Sequence, residues 1–210
     1  MLLFATFPQK WNDYGHLKSL LLLKLYIKNM VSARCIATVK EELSKLGFHG
    51  AVVILGEAEV REDISADQIS LIKSVLLDSG FELLEDKKNI LVEKLKVAII
   101  QIVYHSDQPL IENLSVFLTR TLHYDYTYMS NLFSERTDIT IERFFISHKI
   151  ERVKELLIYN ELTLTEIAFK LHYSSVAHLA NQFKKVTGQT TSQFKQQQDK
   201  PRTPIEDVCP

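Results

Sequence analysis

Cysteine is scarce. Cys35 and Cys209 are the only two in 210 residues, and neither has a partner nearby in the sequence. That argues against a disulfide framework and fits a reducing cytoplasm. Long apolar runs are missing as well. The most apolar one, Leu20 to Leu23, is flanked and interrupted by Lys18, Lys24 and Lys28. It falls far short of the roughly 20 apolar residues of a membrane span and lacks the cleavage site of a signal peptide. The net charge is only -1, so the chain as a whole carries no attraction for a polyanion. There is no low-complexity segment, no Gly-rich phosphate loop, no His-Glu-x-x-His helix and no Gly-x-Ser-x-Gly elbow. The scattered acids and histidines form no recognisable catalytic set, which weighs against an enzyme and calls for no cofactor. Residues 1–21 (with Pro8, Trp11, Asn12 and Gly15) show no periodicity. They read as an unstructured leader, for which a start codon assigned too far upstream would account.

Charge is present, but unevenly. Between Glu57 and Asp86 nine acids face only Arg61 and Lys73, whereas Lys170 to Gln198 holds Lys170, Lys184, Lys185 and Lys195 and no acid. The acidic part should avoid a polyanion and the last part should approach one. Periodicity changes along the chain too. Leu23, Leu25 and Ile27 alternate with Lys24, Tyr26 and Lys28, as in a half-buried strand. Ala33 to Leu46 has helical spacing and ends at Gly47. Ala51 to Leu55 and Glu57 to Glu62 read as strands around Gly56. A capping box at Ser65 and Gln68 opens a helix that stops at Gly80, and Phe81 to Glu85 closes as a strand. Strand, helix, strand, strand, helix, strand is the ferredoxin-like order. After Asp86 the alternation disappears, and Asn89 to Gln198 reads as helices. The expected fold class is therefore α+β in two domains. A ferredoxin-like βαββαβ domain should cover 22–86 and an all-α domain 87–198, with a disordered tail over 199–210.

Within the helical part, Thr163 and Glu166 form another capping box. Ile167, Ala168 and Leu171 face inward, His172-Tyr173 makes a turn, and Ser174 or Ser175 caps the next helix. Leu179 and Phe183 anchor that helix, leaving Val176, Ala177, His178, Ala180 and Asn181 at its front. Such groups suit a DNA groove: Asn pairs with adenine, and Ala or Val touches a thymine methyl. Lys184 and Lys185 lie a turn later, where phosphates would be. The same plan occurs earlier, with Leu114, Phe117, Leu118 and Leu122, then His123-Tyr124, then Asp125 as cap. Met129, Leu132 and Phe133 face inward there, and Tyr126, Thr127, Ser130 and Asn131 outward. Thr140 to Tyr159 is a long amphipathic helix that would hold two helix-turn-helix units at a fixed separation.

These residues carry a resemblance. Ile167-Ala168, Leu171, Tyr173-Ser174-Ser175, Phe183-Lys184-Lys185, Thr187-Gly188 and Phe194 resemble the DNA-binding domain of the AraC/XylS transcriptional regulators, from about Leu110 to Lys195. The resemblance implies two helix-turn-helix units on a bipartite site in double-stranded DNA. By position it implies base readers at Thr127, Ser130, Asn131, Val176, Ala177, His178 and Asn181, and backbone contacts at Ser175, Gln182, Lys184 and Lys185. RNA polymerase and a second copy of the chain are the further partners it implies, in a bacterial cytoplasm and with no membrane. His123 and His172 stand where many members have Gly, and Thr191 where Pro is usual.

A second resemblance lies in Asn29-Met30-Val31-Ser32-Ala33-Arg34-Cys35, which is similar to the metal loop of heavy-metal-associated domains. That loop reads Met-x-Cys-x-x-Cys, but Ser32 occupies the first cysteine position here. A serine hydroxyl is a poor ligand for a soft cation, so Cys35 is left as a single candidate thiolate. The alternative function this implies is a metal carrier or sensor with a degenerate ligand loop.

Overall fold

The computed structural model describes residues 23–62, 64–106, 112–197, 201–205 and 208. The leader read into residues 1–21, and Cys209, lie outside them. Strand β1 (Leu23–Lys28) is followed by α1 (Ala33–Lys45), β2 (Val52–Ile54), β3 (Glu57–Val60), α2 (Ala66–Asp78) and β4 (Glu82–Leu84). Every pairing is antiparallel and the strands lie in the order β2-β3-β1-β4. The alternation in β1 fixes which face is buried. Leu25 and Ile27 point into a core completed by Ala58 and Val60 of β3, Leu83 of β4, and Val39, Leu43, Ile72 and Leu76 from the two helices. Fully burying each large aliphatic side chain contributes about 1.5–3 kcal/mol. Ser32 caps α1 by accepting from the Cys35 amide, and Ser65 with Gln68 forms the expected capping box on α2.

The other face of the sheet is mixed, with charged pairs beside Tyr26, Leu84 and the exposed Val52 and Ile54. Lys24 bridges Glu57 at 2.7 Å and Glu59 at 3.0 Å, and Lys28 meets Glu82 at 3.1 Å. Helix α3 (Lys87–Ile100), capped by Asp86, packs against the β2–β3 turn at Gly56. Gly56 has φ +74°, and a Cβ there would stand 2.9 Å from Val97 Cγ2. Only glycine permits both that backbone and that approach. The helix expected over Asn89 to His105 starts two residues earlier. It closes in a π-helical turn, Gln101–His105.

The remaining helices are α4 (Leu114–Leu122), α5 (Tyr126–Thr137), α6 (Ile141–Tyr159), α7 (Leu164–Lys170), α8 (Val176–Thr187) and α9 (Thr191–Gln196). Two cores organise them. Leu91, Leu95 and Ile99 of α3 pack with Leu118, Met129, Phe133, Ile141 and Phe144. Ile150, Val153 and Leu157, further along α6, pack with Ile167, Leu171, Leu179, Phe183 and Phe194. Helix α6 therefore serves both. The buried polar residues His148 and Lys149 lie between its two contact stretches, and buried Glu151 follows Ile150 at the start of the second.

The two halves repeat in detail. Asp125 and Ser175 cap α5 and α8 fifty positions apart, Phe133 and Phe183 are fully buried, and Thr137 and Thr187 donate to the carbonyls of those phenylalanines. Asp138 and Gly188 both end their helices with positive φ, and Thr140 and Thr190 cap the next ones. The repeat slips by one residue at the turn. His123 (φ 60°) lies two positions before its cap, whereas His172 (φ 55°) lies three before its own.

The disordered tail expected from Asp199 does not describe residues 201–205 and 208. The Thr203 amide donates to Glu151 Oε2 at 3.1 Å, Arg202 pairs with Glu155 at 3.4 Å, and Val208 is buried. Carboxylates facing out of α6 offer that segment partners that its proline-rich composition does not reveal. Among the described residues no helix is long and apolar enough to cross a membrane.

Candidate nucleic-acid interface

Helix α8 presents an exposed front of His178, Asn181, Lys184 and Lys185. Its cap is complete: Ser175 Oγ accepts from the His178 amide at 3.0 Å. The hydroxyl expected to touch the DNA backbone is therefore also the one that starts the helix. Leu179 and Phe183 are fully buried, which turns Ala177, His178 and Asn181 to solvent. His178 is held on two sides. Its Nδ1 shares a 3.0 Å hydrogen bond with the Ser174 hydroxyl, and its ring meets that of Tyr173 edge-on at 5.3 Å. Val176 is half-buried and packs against the second core, so less of it is offered at the front. Gln182 is half-buried too and accepts from the Tyr173 hydroxyl at 2.7 Å. Lys184 and Lys185 are exposed in the last turn, with no ion pair among the described residues.

The turn ahead of α8 rests on a buried cation. Lys149 of α6 places its ammonium 3.8 Å from the centroid of Tyr173. Burial lowers its pKa to about 8 and holds the Tyr173 phenol well above its ordinary value. The aromatic face supplies the attraction that a carboxylate would otherwise give. The positive φ at His172 and His123 marks the place where glycine is favoured. A side chain is accommodated at both, as the sequence departure implied.

Helix α5 has the same frame and a different front. Asp125 Oδ1 accepts from the Tyr128 amide at 3.1 Å. Thr127 and Asn131 are exposed, and Ser130 is half-buried. Two further residues stand at this front that the sequence reading does not single out as readers. Tyr124 and Tyr128 stack at 6.0 Å between centroids and remain 48% and 45% exposed. Their spacing in the sequence, i and i+4 across a cap, carries the signal. Tyr126, expected outward, is half-buried and hydrogen-bonds Glu142 of α6. Cations around α5 are partly neutralised, since Arg120 pairs with Glu112 and Arg136 with Glu135.

In the amino-terminal loop, Ser32 Oγ lies 3.2 Å from Cys35 Sγ and also caps α1. Met30 is fully buried in the sheet core, so its sulfur does not face outward beside Cys35. Among the described residues no three His, Cys, Asp or Glu side chains converge as a metal site would require.

The helices from α4 to α9 define a helix-turn-helix domain: a family model of that description matches residues 118–197. Part of the chain is also similar to curated bacterial proteins, among them the following two. One is the uncharacterized HTH-type transcriptional regulator YtdP of Bacillus subtilis (strain 168), 29% identical over 80 residues, covering 38% of this chain and 10% of that protein. The other is the uncharacterized HTH-type transcriptional regulator SAS0078 of Staphylococcus aureus (strain MSSA476), 30% identical over 96 residues, covering 46% of this chain and 12% of that protein. The chain thus spans about a tenth of the length of these relatives. No solved structure matches it.

Proposed function

We propose that this chain is a sequence-specific DNA-binding transcriptional regulator of the AraC/XylS type, reading double-stranded DNA with α5 and α8 as paired recognition helices. One observation carries the reading. The exposed front of α8 (Ala177, His178, Asn181) stands on a satisfied cap beside two lysines with no ion pair among the described residues, and the same frame recurs fifty residues earlier around Thr127 and Asn131. In a helix-turn-helix the first turns of the second helix meet base edges. Asn181 and His178 supply polar contacts there, Ala177 an apolar one, and Lys184 and Lys185 neutralise phosphates. No chemistry is required of the protein. Binding energy comes from counterion release, and selectivity from the few base-edge contacts.

The sheet part is read as a ferredoxin-like module, supported by its element order and by β1 and β3 at the centre of the sheet. It would dimerise the chain or sense a signal, and contact with RNA polymerase would carry the output. Nothing specific favours the metal-carrier alternative, because Ser32 is engaged as a helix cap and Cys35 stands alone among the described residues.

Selection of duplexes from a random-sequence pool with the full chain tests the reading. The expected product is a bipartite motif whose half-sites lie about one helical turn, roughly 10 base pairs, apart. A pool with no enriched motif after several rounds would sink sequence-specific binding.

A further inference from the structure

Between the second face of the sheet and the helices runs a groove of about 690 Å³, a size typical of small-molecule sites. Tyr26 and Leu84 line it from the sheet, Ile90 and Lys94 from α3, and Leu122 and Tyr124 from the end of α4 and the turn before α5. A smaller recess of about 170 Å³ shares Tyr26, Ile90, Lys94 and Leu122 and reaches Gly56 and Val97. The two form one cleft with a deep apolar end.

The lining carries Lys24, Lys87 and Lys94 against Glu57, Glu85 and Glu93, but the pairing among them is uneven. Lys24 is already held by Glu57 and Glu59, and Glu85 by Lys73. Glu93, on the same helix, accepts from the Asn29 amide at 3.1 Å. Lys87 and Lys94 have no carboxylate partner among the described residues. Lys94 is half-buried. Its ammonium lies 4.5 Å from the centroid of Tyr26 and 3.5 Å from the Tyr26 hydroxyl. An ammonium so placed has donors to spare and restricted access to water, which favours an anion beside it.

We propose that this cleft binds a small organic carboxylate with an apolar body. The carboxylate sits on Lys94 and Lys87, and the body lies against Tyr26, Leu84, Ile90 and Leu122. A bound ligand touches the sheet and the turn from which α5 starts at the same time. On the DNA-binding reading, it therefore biases the placement of the first recognition helix.

The test uses the full chain, isotopically labelled and followed by NMR, with 1-naphthoate as probe. The same ring without charge (1-naphthamide) and the charge without a ring (acetate) are the controls. Saturable shifts centred on Tyr26, Lys94 and Leu122 are expected, with both controls at least about tenfold weaker. Lys87→Met with Lys94→Met should weaken 1-naphthoate by at least about tenfold with the rest of the spectrum unchanged, and Lys94→Arg should retain binding. Equal binding of the amide, indifference to the double substitution, shifts centred elsewhere, or no saturation up to the probe's solubility each overturns the proposal. The regulatory clause is tested separately, by titrating a selected duplex with and without saturating probe. Unchanged DNA affinity removes that clause alone, and a chain that selects no duplex leaves the carboxylate titration unaffected.

Discussion

His178 and Asn181 differ in how firmly they are placed. The Ser174 hydroxyl and the Tyr173 ring hold the imidazole, whereas Asn181 stands exposed on a helix anchored nearby by Phe183. Replacing both with alanine is expected to relax sequence preference by about 1–3 kcal/mol for each base-edge interaction removed. Competition between the selected duplex and point-changed duplexes measures this, and an unaltered ranking would remove both residues as readers. His148 is a different kind of residue. It is fully buried between Tyr104 and Phe144, and neither ring nitrogen has a hydrogen-bond partner. The Val208 backbone lies close enough to favour the charged form slightly, without completing a hydrogen bond. Burial first, and Lys96 second, lower the His148 pKa from 6.5 to about 4. The unfolded chain takes up a proton below pH 6.5 that the folded chain refuses, so stability falls as pH drops through that window and levels off below about 4. The loss should reach up to about 3 kcal/mol. His148→Leu should flatten it, as read from urea midpoints at neutral and acid pH relative to the parent chain. Parallel pH dependence in the two chains would show that the ring does not titrate this way.

At the level of elements, local pattern and long-range contact separate cleanly. Strand β1, the capping boxes at Ser65 and Thr163, and the turns at His123 and His172 are legible in the sequence, because each is set by neighbours within a few residues. The helix pairs α4–α5 and α7–α8 are legible for the same reason, and so is the order of strands and helices. What is not legible depends on residues far away. The hydrogen bond from Tyr173 to Gln182, the extra residue in the second turn, the tail on Glu151, and the burial of His148 and Lys149 leave no periodic trace. Of the expected readers, Ala177, His178, Asn181, Thr127 and Asn131 are at the surface, whereas Val176 and Ser130 are half-buried. The stacked tyrosines at the start of α5 escape a sequence reading because aromatic residues at helical spacing usually mean core. Gly56 shows what a long-range constraint does to one element. Alanine there would meet both the positive φ and Val97. Gly56→Ala should destabilise the chain by about 1–3 kcal/mol, and adding Val97→Ala should recover the steric part. Denaturant titration checks both, and a neutral Gly56→Ala would mean that α3 does not press on the turn.

Across the whole molecule, charge is unevenly divided. The sheet part is acid-rich, and α8 carries exposed lysines without ion pairs among the described residues. Removing Lys184 or Lys185 should weaken binding to all duplexes alike and reduce the slope of log affinity against log salt by about one per lysine. Titrations at several salt concentrations measure this, and an unchanged slope would place both lysines away from phosphate. The two cores are joined through one rigid part. Ile141 and Phe144 of α6 belong to the first, and Ile150, Val153 and Leu157 to the second, with no break in the helix between them. Helix α6 is therefore a gauge of phase as well as of distance. One residue inserted near Ser147 would rotate α8 about 100° against α5 while lengthening the gap by only about 1.5 Å. Two whole turns, about seven residues, would nearly restore the orientation and add about 10 Å. Bipartite binding should fail with the short insertion, and also with the long one, because the roughly three base pairs that would cover the added ~10 Å turn the half-site itself by about 100° around the duplex. Binding that survived either insertion would mean the two halves grip DNA independently.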